Sequence, residues 1–360
     1  MILAVVSFIV IFSIVILIHE LGHFYFARKA GMRVEEFGIG LPPRIWGTKK
    51  GETIYSINWI PVGGFVRVYG EGGEHERDER SFASKTAAQR IWFIVGGVLM
   101  NFLLAVAVLM VGFWLSMPPL VTPPEQYTKD PAGVTSRVVV LSVDQGSPAQ
   151  AAGILMGDLI LSVDGDAIST TDELKAALVG RAGQTVSLLV DRSGKLIELT
   201  VVPRAAKDGA QIGAIIDRTV EKVLYIWWQV PWIALQEAWR IIVVVVMAVV
   251  NLIYQLFKTA SIPADLAGPV GIAKITADIL HLGWLRVLQF VAFLSVNLGV
   301  INLVPFPALD GGRLIFVLLE LLRGGKKVST HVEGIIHTVG FALLMLLILA
   351  VTYKDILRLI

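Results

Sequence analysis

Residues 1–18 run without a charge and end directly on His19-Glu20-Leu21-Gly22-His23. An uncharged stretch of that length is what a helix needs to cross a hydrocarbon layer roughly 30 Å thick, at about 1.5 Å per residue. Ionisable side chains inside such a span are costly and mark function. On a helix, His19 and His23 share one face. Glu20 falls about 100° from His19 and about 60° from His23, so its carboxylate can reach a water on a metal held by the pair without ligating it. The HExxH pattern is that of a zinc hydrolase. The segment predicts metal chemistry at membrane depth.

Composition agrees with a membrane location. Of 360 residues, 55% are hydrophobic and 17% charged, and the mean hydropathy is +0.71, too apolar for a soluble chain of this length. A net charge of +2 leaves no electrostatic footprint for nucleic acid. Cysteine is absent, which excludes disulfides, thiolate zinc ligands and a Cys nucleophile. The N-terminal run lacks a basic n-region and exceeds the usual signal-peptide h-region, so a retained transmembrane helix is expected.

Four stretches are long enough to span: residues 1–27, 91–117, 285–322 and 335–351. Eleven basic residues, from Arg28 to Arg90, separate the first two, and Arg323, Lys326 and Lys327 follow the third. The excess of positive charge predicts that both loops are cytoplasmic. That orientation requires an even number of crossings between them, which residues 91–117 and 285–322 supply. A fifth apolar stretch, residues 241–257, is therefore read as an interfacial or packed helix. In the first loop, residues 53–69 (TIYSINWIPVGGFVRVY) are rich in β-branched and aromatic residues and broken by Pro61 and Gly63-Gly64. They predict a hairpin. It is either an ordinary soluble hairpin or a sheet dipping toward the metal site, with an open edge for an extended peptide.

Residues 118–130 read as a linker. Beyond them an α/β pattern is expected: a strand at 138–143, GSPAQAAG entering a short helix, GDLILSVDG as a strand closed by a turn, a helix at 172–179, and strands at 186–191 and 197–202. No repeat period recurs. The order GSPAQAAG…GDLILSVDG resembles the permuted PDZ domains of bacterial proteases. That resemblance implies capture of an extended peptide or C-terminus by strand addition, with a carboxylate-binding loop near residues 209–214 (GAQIGA).

Catalytic zinc takes three protein ligands and keeps a fourth position open. Asp310 is the strongest candidate to join His19 and His23. Pro305 and Pro307 prevent a continuous helix before it, and Gly311-Gly312 follow. His19 lies about 13 Å from the basic residues that close its span, and Asp310 at most about 20 Å from those that close its own. The two can meet in the cytoplasmic half of the membrane. Glu320, His331 and His337 are weaker rivals. Asn297 and Asn302, in the third span, either glue helices together or contact substrate and the oxyanion. Gly96-Gly97 and Asn101, in the second span, read as a close-packing element.

HELGH, NLVPFPALDGG (residues 302–312) and the PDZ-like module between them together resemble the site-2 protease family of intramembrane zinc metalloproteases, specifically the bacterial regulator of sigma-E protease group in a single-PDZ form. SVNLGVIN (residues 295–302) and AGPVGIA (residues 267–273) fit the same group. The resemblance implies one zinc ion on His19, His23 and Asp310, with Glu20 as general base and Asn297 and Asn302 touching substrate. It also implies a multi-pass protein of the bacterial inner membrane, with the PDZ domain and both termini extracytoplasmic. Its substrate would be a transmembrane protein, such as an anti-sigma factor or a signal-peptide remnant. Two other classes stand beside this one: a membrane-anchored PDZ scaffold with a degenerate metal site, and a metal transporter.

The expected fold is a polytopic α-helical membrane protein of four transmembrane helices, with a re-entrant β-hairpin or sheet and an inserted PDZ domain. Its divisions are the first transmembrane helix (1–30), a loop with the re-entrant segment (31–89), the second helix (90–117), a linker (118–133) and the PDZ domain (134–218). Post-PDZ interfacial helices (219–284), the third transmembrane segment (285–323), a cytoplasmic loop (324–334) and the fourth helix with the C-terminus (335–360) follow.

Overall fold

The computed structural model describes residues 2–73, 75–128, 133–192, 194–206, 209–259 and 268–357. Residues 129–132 of the expected linker, Ala267 of the Gly-Pro segment and the last three residues of the chain lie outside the described residues. The chain divides into two compact units, one of residues 1–111 with 231–360, the other of residues 112–230.

The first unit begins with helix α1, Ile2–Lys29. Strands β1 (Val34–Lys50) and β2 (Thr53–Val68) follow. Each of them bends double. Residues 34–39 pair with residues 64–68 on one side, as in Phe37 with Val66, and with residues 54–57 on the other, as in Gly38 with Ser56; residues 44–50 close against 53–58. The expected hairpin at 53–69 is thus half of a larger sheet. Its two arms flank the first arm of β1 rather than pairing with each other.

This sheet lies along α1. Ser13 Oγ accepts from the Gly63 N–H at 3.2 Å and donates to the Pro61 carbonyl at 3.3 Å. A Cβ on Gly63, whose φ is +72°, would sit 3.2 Å from the Ile16 side chain. A Cβ on Gly64 would meet Leu17 Cδ1 at 3.0 Å. The glycine pair lets the strand run against the helix one turn before the HELGH segment. Helix α2, Ala87–Trp114, crosses α1 at equally short range: a Cβ on Gly22 would fall 2.2 Å from the Gly96 carbonyl oxygen.

The second unit carries β3 (Val134–Val143), the short helix α3 (Pro148–Ala151), β4 (Leu159–Val163), β5 (Asp166–Ala167), helix α4 (Thr171–Leu178), β6 (Val186–Arg192) and β7 (Lys195–Val201). The short pair β8 (Arg204–Ala206) and β9 (Gly209–Gln211) and then β10 (Ala214–Val223) complete it. The main sheet has the order β10-β3-β4-β6-β7, with β5 on β4. Its core is apolar and aliphatic, including Val138, Ile160, Leu174 and Leu188. Ser147 caps α3, and Thr170 with Glu173 forms a capping box on α4, as Ser or Thr followed by Gln or Glu three residues on should do. β10 is an edge strand beside α4, an arrangement able to accept an added strand.

The chain returns to the first unit with α5 (Val230–Thr259), α6 (Pro269–His281), α7 (Trp284–Leu303), α8 (Asp310–Leu322) and α9 (Thr330–Leu357). α1 packs on α6 and α7, and α6 also meets α9. Among the described residues, five helical stretches are long and apolar enough to cross a membrane: Val5–Lys29, Ala87–Trp114, Val230–Gln255, Trp284–Leu303 and Thr330–Leu357. The stretch in α5 is the addition to the four expected. The expected third span divides at residues 304–309, where Pro305 and Pro307 interrupt the helical hydrogen bonding.

The two basic loops meet at one end of this unit. Arg90, at the start of α2, donates to Glu320 on α8 at 2.6 Å, and both side chains are about nine-tenths buried. Lys327 donates to Glu76 at 3.1 Å and to the Ala83 carbonyl at 2.7 Å, and Arg313 pairs with Glu71. Glu320 is thus committed to Arg90, on another helix.

Candidate metal centre

α1 presents His19 and His23 one turn apart, and both are buried. The loop at 304–309 delivers Asp310 to them from the far end of the sequence. That loop is held by close backbone packing. A Cβ on Gly311 would lie 2.2 Å from the Val304 carbonyl oxygen, and one on Gly312 2.4 Å from that of Phe306. Gly340 on α9 leaves room for Pro307 in the same way, at 2.3 Å. His337, also on α9, accepts from the Ala308 N–H at 3.0 Å. Asp310 therefore begins α8 from a fixed platform, with its carboxylate at the helix N-terminus, where negative charge is favoured.

Three atoms converge. Asp310 Oδ2 lies 3.0 Å from His19 Nε2 and 3.2 Å from His23 Nε2, and the two imidazole nitrogens are 3.1 Å apart. Donors at 2.0–2.1 Å from a tetrahedral zinc stand about 3.3 Å from one another, so the spacing fits that ion. Proton placement fits it too. His23 Nδ1 lies 2.9 Å from the Phe93 carbonyl, which only accepts, so Nδ1 carries the proton and Nε2 of the neutral ring is a bare lone pair. A lone pair aimed at a carboxylate oxygen and at a second imidazole nitrogen is an arrangement that a cation between them relieves. Among the described residues, His19, His23 and Asp310 form the one such cluster of possible ligands.

Glu20 is half-buried beside the sheet, with its Cγ 3.9 Å from the position a Gly64 Cβ would take. Its carboxylate and the edge arm of β2 thus belong to the same small region. Asn302 reaches the centre: its amide nitrogen is 3.3 Å from His19 Nε2. Asn297, half-buried five residues earlier on α7, makes no such contact among the described residues. Of the rivals for third ligand, Glu320 is committed to Arg90, His337 to the Ala308 amide, and His331 is exposed at the start of α9.

Sequence reasoning missed the contribution of α2 to this centre. Phe93, Gly97 and Asn101 lie four residues apart and so form one stripe of the helix. Phe93 holds His23. A Cβ on Gly97 would sit 2.5 Å from His23 Nε2 and 2.8 Å from His19 Nε2. The Asn101 amide lies 3.3 Å from His19 Nδ1. The only signal in the chain was the small residue four positions before an amide within an apolar span, a pattern that ordinary helix packing shares.

The profile of peptidase family M50 matches residues 7–347. A protein of Clostridium perfringens is 36% identical over 350 residues, 96% of each chain. The zinc metalloprotease RasP of Oceanobacillus iheyensis is 31% identical over 439 aligned positions, 99% of each chain. The regulator of sigma-W protease RasP of Bacillus subtilis is 31% identical over 443, covering 99% of this chain and 98% of its own. Among solved structures, the PDZ domain of an SdrC-like protein of Listeria innocua is 33% identical over 22% of this chain and 92% of its own, with a TM-score of 0.20. With the family profile running from the first helix through the ninth, this chain belongs to peptidase family M50.

Proposed function

We propose that this chain cuts a peptide bond within the transmembrane segment of a single-pass membrane protein, at a centre built from His19, His23, Asp310 and Glu20. It is an integral membrane zinc metalloendopeptidase of its family. The observation that carries the finer reading is the convergence of two imidazoles and one carboxylate, at the spacing zinc requires, on a helix apolar enough to span a bilayer.

When bound, zinc supplies a Lewis acid that lowers the pKa of water and polarises a peptide carbonyl. His19, His23 and Asp310 would hold it. Glu20, next to His19 on the helix and outside the ligand set, takes the proton of the attacking water and delivers it to the leaving amine. The Asn302 amide, directed at the same centre, donates to the carbonyl oxygen as negative charge develops there. Asn297 is assigned to the substrate backbone farther along α7. A transmembrane helix has to unwind before one of its bonds can be reached. The edge arm at residues 64–68 of β2 offers the exposed peptide a strand to pair with, compensating the lost helical hydrogen bonds.

The meeting of Arg90 with Glu320, and of Lys327 with Glu76, supports placing both basic loops on one face of the membrane. We assign that face to the cytoplasm. The centre then lies in the cytoplasmic half of the bilayer, with the PDZ-like unit and both termini outside. On this reading four helices cross, and α5 lies in the outer interface. Trp232 and Trp239, exposed seven residues apart on one face of α5, suit that level.

The Bacillus subtilis relative is named as a regulator of sigma-W. By that similarity the substrate is assigned as an anti-sigma factor, with signal-peptide remnants as a second candidate. The edge strand β10 beside α4 is assigned to peptide or C-terminus capture. Purified protein incubated with a single-pass substrate, and mass spectrometry of the products, tests the reading. It expects a cut inside the apolar segment; cuts confined to flanking polar sequence would overturn it.

A further inference from the structure

The geometry points to Asn101 as a positioning residue: we propose that its side-chain oxygen accepts from His19 Nδ1–H and so fixes His19 in the tautomer that leaves Nε2 free for the metal. The inference rests on the reading of His19 as a zinc ligand and deepens it.

The two histidines are held in parallel ways by one stripe of α2. At His23 the holding group is the Phe93 carbonyl, 2.9 Å from Nδ1. A carbonyl oxygen can only accept, so that ring's tautomer is settled by the backbone. At His19 the corresponding group is the Asn101 amide, eight residues farther along α2 and 3.3 Å from Nδ1. The helices run antiparallel here, so Phe93 meets His23 and Asn101 meets His19, with Gly97 between them giving space to both Nε2 atoms.

An amide can present either its oxygen or its NH2 by a half-turn about its terminal bond. Which one faces His19 decides the tautomer. With NH2 toward Nδ1, as in this structure, that nitrogen must accept, and the ring proton moves to Nε2. Yet Nε2 is the atom within 3.0–3.1 Å of Asp310 and His23, where a proton would block ligation. In that orientation Asn101 Oδ1 is buried without a hydrogen-bond partner, although Asn101 is wholly buried. A buried carbonyl oxygen left unpaired is costly. The half-turn gives Oδ1 the Nδ1–H as donor and frees Nε2 in one movement. The turn of α2 carrying Asn101 is itself anchored: buried Ser295 on α7 donates to the Asn101 backbone carbonyl at 2.8 Å. Metal-ligating histidines commonly donate their second N–H to a fixed oxygen, and loss of that oxygen weakens metal binding about 10- to 100-fold.

The test is zinc affinity by chelator competition on the full chain in detergent, for wild type and for Asn101→Leu, Asn101→Asp and His19→Ala. Asn101→Leu is expected to weaken zinc binding about 10- to 100-fold. Asn101→Asp keeps an acceptor and has no NH2 to leave unpaired, so it is expected to bind at least as tightly as wild type. Wild-type affinity in Asn101→Leu overturns the proposal. So does weakened affinity in Asn101→Asp, since a donor role would be lost there as well; this arm decides even if Asn101→Leu fails to fold. Unchanged affinity in His19→Ala overturns the ligand reading itself, and the proposal with it.

Discussion

Gly97→Ala is a one-carbon change that should disable the metal centre. The added Cβ would sit 2.5 Å from His23 Nε2, 2.7 Å from His19 Cε1 and 2.8 Å from His19 Nε2, whereas ordinary contact begins near 3.4 Å. The shortfall is about 0.9 Å at His23 Nε2 and about 0.6 Å at His19 Nε2, from those same distances. Separating the helices would give up the close Gly22–Gly96 packing and the hold of the Phe93 carbonyl on His23. The rings must move instead, by several times the roughly 0.2 Å tolerance of a metal–ligand distance. We expect zinc affinity to fall at least about 10-fold, and turnover about 100-fold, as for a misplacement near 1 Å in other active sites. Gly96→Ala is the control: its Cβ meets the Phe26 ring at 2.5 Å and the Gly22 carbonyl oxygen at 3.0 Å, but neither imidazole. It should cost stability, about 1–3 kcal/mol for overpacking, while retaining zinc. Chelator competition and a cleavage assay on the monodisperse fraction of each variant would measure both effects. A Gly97→Ala protein with wild-type zinc affinity and rate would refute the reasoning.

Arg90→Met should destabilise the chain by about 3–5 kcal/mol, because it strands the buried Glu320 carboxylate without its partner. The double variant Arg90→Met/Glu320→Leu should recover most of that loss in denaturant unfolding. In the second unit, the Ser169 and Thr170 backbone N–H groups hold the exposed Glu173 carboxylate below its usual value near 4.5. Its contribution is therefore present above that pH and lost as pH falls. Thermal unfolding should show Glu173→Gln less stable than wild type at pH 7, with the two converging as pH drops below about 4.5; a gap independent of pH would contradict the cap's role.

The proposed ligand set was legible because chemistry and depth constrained it together: HELGH offered two candidate ligands, and few acids lay in apolar spans at a level where they could join them. Strands β3, β4, β6 and β7 of the second unit were legible from their aliphatic residues and the turns between them, which act locally, whereas β10 was not foreseen. Nor were residues 34–50. GIGLPPRIWG (residues 38–47) is poor in β-branched residues and carries two prolines, and it becomes strand through its partners: residues 38–39 sit between both arms of residues 53–68, and residues 44–47 pair with 56–58. The sequence places Gly311-Gly312 after Asp310 without saying what they are for; in the fold they allow close approach of α8 to the Leu303, Val304 and Phe306 carbonyls. Glu320 and Arg90 stand 230 residues apart, and nothing local marks them as partners. Asn297 and Asn302 look alike in sequence, and only the position of Asn302 on α7 brings its amide to His19.

Glu20→Gln tests the central claim most directly, because the variant keeps the size and position of the side chain and removes only its ability to take a proton. Zinc content and cleavage of a single-pass substrate should be measured on the same preparation. The account predicts one zinc per chain, as in wild type, with cleavage abolished. Zinc retained with full cleavage would contradict it, and so would loss of zinc together with activity, since Glu20 would then be a ligand and the base would lie elsewhere.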